Sequence, residues 1–76
     1  MEYEVRPTVL SGFGAAEMVF IGGRRVGMVY RDPNPPAELA ELWIAYTTGG
    51  QAVENREDGI QHILQHAAEN PTFELL

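Results

Sequence analysis

The chain has 76 residues, no cysteine and a formal net charge of −6, its 11 acidic residues facing 5 basic ones, all of them Arg. So short a chain makes one domain, residues 1–76, that buries only about 60% of its unfolded surface, and without thiols it has no disulfide staple, thiolate metal site or thiol nucleophile. The acidic balance argues against a phosphate backbone as the main ligand, since each contact needs a Lys or Arg; it suits a basic protein partner or imitation of nucleic-acid charge.

No apolar run approaches the ~20 residues of a membrane span, and residues 1–6 lack the basic start and apolar centre of a signal peptide. A cytoplasmic protein with no membrane partner is the expectation.

Taken in order, residues 3–10 predict a first strand, with Tyr3, Val5 and Val9 on one face and Glu2, Glu4, Arg6 and Thr8 on the other. Pro7 cannot donate to a ladder, which places this strand at an edge or at a bulge. The glycines in Ser11-Gly12-Phe13-Gly14 break the run. Residues 17–21 and 24–31 then form two β-rich runs around Gly22-Gly23, the pattern of a hairpin with a two-residue primed turn. Gly27 inside the second run predicts a bulge or a close approach by a neighbouring group.

Three prolines among residues 33–36 stop the ladder, and one helical turn can follow from Pro36. Residues 42–47, Leu-Trp-Ile-Ala-Tyr-Thr, predict another strand, and Gln51-Ala52-Val53 a short final one. The spacing predicts a helix over 56–69. Asn55 is its N-cap, Glu57 and Asp58 oppose the dipole, and Ile60, Ile63, Leu64, Ala67 and Ala68 make one apolar stripe. Gly59 invites close approach to a sheet, and Asn70-Pro71 ends the helix. The tail, residues 72–76, is apolar enough to pack on something. The fold class expected is α+β: an antiparallel meander of three to five strands with one C-terminal helix on one face.

The strands are apolar on both sides, although a sheet with one solvated face alternates apolar with polar. Met18 and Phe20 oppose Val19 and Ile21; Val26, Met28 and Tyr30 oppose Val29; Leu42, Ile44 and Tyr46 oppose Trp43 and Ala45. One helix covers one face, so a second cover is needed: the tail, the proline-rich loop or another molecule. The expected partner-binding surface is the sheet face away from the helix, centred on Trp43 with Val19 and Ile21. The Arg24/Arg25 hairpin tip and the tail residues Phe73 and Leu75 extend it.

Candidates for chemistry are few. His62 and His66 stack one turn apart on the helix, with Asp58 and Glu69 one turn beyond, but no Glu lies between them as in a zinc-protease helix; a solvated helix face is the preferred account. No glycine segment matches a phosphate loop, and no hydroxyl sits in a nucleophile elbow. No cofactor and no enzymatic activity are expected.

The order Gly23-Arg24-Arg25-Val26-Gly27, Trp43-Ile44-Ala45-Tyr46, Gly49-Gly50 and Arg56-Glu57-Asp58-Gly59-Ile60 resembles small meander-plus-helix proteins of phages and GC-rich bacteria. It also looks like the arm-binding domains at the start of tyrosine recombinases. That second resemblance implies a sheet face that reads DNA, with Arg24, Arg25 and Arg31 as its basic residues. The leading expectation is a small acidic interaction module, a phage or mobile-element protein that binds and modulates a host protein. The alternatives are a nucleic-acid-binding domain using the Arg24/Arg25 hairpin and a structural subunit active only as a homo-oligomer; a homodimer is the expected form of self-association.

Overall fold

The computed structural model describes residues 2–12 and 14–75. Five antiparallel strands form one sheet in chain order: β1 (Glu4–Leu10), β2 (Gly14–Ile21), β3 (Arg24–Tyr30), β4 (Trp43–Tyr46) and β5 (Gly50–Val53). One helix, α1 (Arg56–Glu69), packs against it. The architecture is the α+β meander with a C-terminal helix. β2 starts three residues before its expected boundary, because Gly14 already pairs with Leu10. The segment after β3 contains a single 3-10 turn, Ala37–Leu39.

Local chemistry accounts for these elements. Gly22 and Gly23 both have positive φ, 58° and 79°, as the primed turn joining Ile21 to Arg24 requires. β1 is an edge strand, where the missing Pro7 amide breaks no ladder. The Asn55 side chain accepts from the Asp58 amide at 2.8 Å, completing the helix cap. At the other end, Asn70 donates to the His66 carbonyl at 2.9 Å.

The core lies between α1 and the sheet. Val19, Val26, Val29, Ala45, Ile60, Ile63 and Ala67 are buried there, with Val5, Ile21, Trp43 and Leu64 packed around them. Val26 departs from simple alternation. Between the pairs Val19–Gly27 and Phe20–Arg25 it is the extra residue of a β-bulge, so it joins the helix side instead of sharing a face with Met28 and Tyr30.

Two glycines set the distance between the layers. A Cβ on Gly27 would stand 2.7 Å from Ile63 Cγ2 and 2.8 Å from the Tyr46 carbonyl oxygen. One on Gly59 would stand 2.8 Å from Val29 Cγ1. The Tyr46 carbonyl is backbone and cannot yield, and Val29 is fully buried and stiff, so it gives only by moving with its surroundings. Gly27→Ala is therefore expected to destabilise by about 1–3 kcal/mol, as overpacking does. Gly59→Ala should cost less, because it regains up to about 1 kcal/mol of helix propensity. Thermal denaturation checks the order: each kcal/mol moves Tm by roughly 4–8 °C in a domain of this size.

Candidate partner-binding surface

Strand register divides the side chains into two faces. Those opposite the helix fall in rows across the strands. One row runs Arg6, Met18, Met28, Tyr46 and Gly50; the next runs Thr8, Ala16, Tyr30, Ile44 and Ala52. Phe20 and Arg25 face each other beyond the first row. Tyr30 and Ala16 are buried, while Met18, Phe20, Met28, Ile44 and Tyr46 are half-buried. Burial, then the charge of Asp32, raises the Tyr30 hydroxyl above its ordinary pKa.

Charge is sparse on this face. The Arg6 guanidinium lies 4.5 Å from the Phe20 ring centroid and is held by both carboxylate oxygens of Glu4, at 2.8 and 2.9 Å. The tail supplies part of a cover. The Leu75 amide donates to the Arg25 carbonyl at 2.8 Å, bringing Leu75 to a groove of about 370 Å³ that Met18, Met28 and Tyr46 also line. Phe73 instead stands edge-on to His66, ring centroids 4.8 Å apart. Residue 76 of the expected tail lies outside the described residues.

The structure relocates three of the expected contact residues. Val19 is fully buried beneath α1, and Ile21 and Trp43 pack against the same core. All three therefore belong to the helix side, not to the face away from it. The cause is the thickness of the layers: a helix this close needs small or β-branched residues below it, which Val19, Gly27, Val29 and Ala45 provide. The longer Met18, Phe20, Met28 and Tyr46 are left to the other face, although Trp43 on the helix side shows that size alone does not assign a face from sequence.

The basic cluster also divides. Arg24 pairs across from Ile21 on the helix side, with its Nε buried and lacking a protein hydrogen-bond partner among the described residues. Arg25 lies exposed on the other face opposite Phe20, and Arg31 donates to the Ala40 carbonyl at 2.9 Å. His62 and His66 are both half-buried on α1. Among the described residues, no three His, Asp or Glu side chains come together as a metal site, and none of the helices is long and apolar enough to cross a membrane.

A wider cleft, about 740 Å³, opens on the helix side over the β1–β2 half of the sheet. Val9, 80% exposed, and Trp43 line it, with Glu17 and Arg31 as its charged groups. Glu17 is already engaged: Arg56 Nε and Nη2 donate to its two oxygens at 2.6 and 2.8 Å, tying β2 to the first turn of α1. Comparisons with protein families, curated proteins and solved structures return no match. The likeness to recombinase arm domains therefore stays at the level of the residue pattern.

The hydrogen bonds from Arg56, reinforced by its charge, hold the Glu17 carboxyl below the ordinary glutamate range despite partial burial. A carboxyl depressed by folding contributes stability above its unfolded pKa, about 4.3, and that contribution disappears as pH falls through the depressed value. Because both side chains are about one-third solvated, the effect should not exceed about 1 kcal/mol. Melting curves from pH 7 to pH 3 should show wild type losing more stability than Glu17→Gln.

Proposed function

We propose that this protein is a non-enzymatic interaction module that docks onto another protein surface through the helix-free face of its sheet. The observation that carries this reading is the group of half-buried, adaptable side chains centred on Met18, Met28 and Tyr46, which no secondary-structure element covers. Methionines with aromatics make a surface that can adjust to a partner, and the tail residue Leu75 covers it only in part. The engaged state of Glu17 and Arg31 in the larger cleft favours binding over catalysis as its role. In its fuller form the reading is of a small acidic phage or mobile-element protein that binds and modulates a host protein, which size and charge support. Nucleic acid is the weaker alternative, because Arg24 and Arg25 on opposite faces make no continuous basic stripe.

A photoreactive phenylalanine analogue at Tyr46 tests the docking face in cells. It should give a discrete cross-linked species, whereas the same residue at Gln65, exposed on α1, should give none. Equal labelling from both positions would refute the reading.

A further inference from the structure

We infer that the helix-free face is the seat of a second copy of this chain, stacked sheet to sheet about a two-fold axis that passes close to Met28. This rests on the docking face proposed above and names its occupant.

Size is the first argument. The molecule measures 35 × 22 × 18 Å. Its largest outline, 35 × 22 Å, is on the scale of the ~800 Å² that each partner buries in a standard interface, so pairing would engage most of one broad side. A 76-residue chain with one helix also has much to gain from burying it.

Charge selects the occupant. The face carries the neutralised Arg6–Glu4 pair and, toward one end, Arg25. The carboxylates Glu17, Glu57 and Asp58 lie on the helix side or on the helix. A basic partner would thus find its complement on the opposite surface. A near-neutral apolar face fits another of the same kind, and sheet-to-sheet stacking keeps the two acidic surfaces outermost.

The sheet edges offer no competing route. Pro7 leaves a gap in the donors of β1, and β5 has only four residues, so strand addition is poorly supported at either end. Stacking face to face follows. In a two-fold interface, residues on the axis meet their own counterparts. Met28 sits on the middle strand and in the middle of its row, so it takes that position whether the axis runs along or across the strands.

Light scattering on the purified chain should give twice its 8.4 kDa mass, and Met28→Glu should halve that mass while keeping the far-UV spectrum. Val9→Glu, in the helix-side cleft, should leave the dimer intact. A measurement without substitution guards against a variant that fails to fold. An equal mixture of methionine-methyl-labelled and unlabelled chains should show intermolecular NOEs from the Met28 methyl. A wild-type mass of 8.4 kDa at several hundred micromolar overturns self-pairing but leaves the docking face standing if Tyr46 still cross-links to a different protein. A dimer that Val9→Glu dissolves and Met28→Glu does not overturns both.

Discussion

Everything in this small fold depends on how closely α1 approaches the sheet. Gly27 on β3 and Gly59 on α1 remove the side chains that would hold the layers apart, and Ile63 and Val29 occupy the space. The approach restricts the buried strand positions beneath α1 to small and β-branched residues, Val19, Val26, Val29 and Ala45, since the interior must fill without voids or overlap. Met18, Phe20, Met28 and Tyr46 lie on the other face, and Trp43 packs around the core instead of within it. The apolar character of the helix-free face is thus a by-product of the packing that forms the core.

The Glu17–Arg56 pair secures the same junction from its margin. It joins β2 to the first turn of α1 through a bidentate geometry that fixes direction as well as distance. Its partial solvation limits its energetic weight, so its effect is on alignment: it orients the helix across β3, β4 and β5, where α1 makes its main contacts. The β1–β2 half of the helix side is left open as the cleft beside Val9 and Trp43. Two apolar surfaces thus remain, one on each side of the sheet, and the charge distribution separates them. The helix side carries Glu17 with the acidic start of α1; the other side is nearly neutral.

The hairpin tip shows how one residue of register changes a functional reading. Arg24 and Arg25 are neighbours in sequence, and on a flexible loop they could make a joint contact. Held in a ladder they point to opposite faces. The bulge at Val26 then returns that valine to the core, where strict alternation would put it with Met28.

Much of the fold was legible in local chemistry. The Gly22-Gly23 turn, the Asn55 cap and the stripe from Ile60 to Ala67 each depend on neighbours within a few residues, so sequence alone determined them. Pro7, by contrast, allowed an edge or a bulge until the sheet order put β1 at the edge. Sequence also determined that the sheet is apolar on both sides. Which side the helix takes was decided only by tertiary packing, because alternation defines two faces without ranking them. The ranking came from contacts between residues far apart in the chain, Gly27 with Ile63 and Gly59 with Val29. Those contacts put Trp43, Val19 and Ile21 on the helix side and Met18, Met28 and Tyr46 on the face away from it.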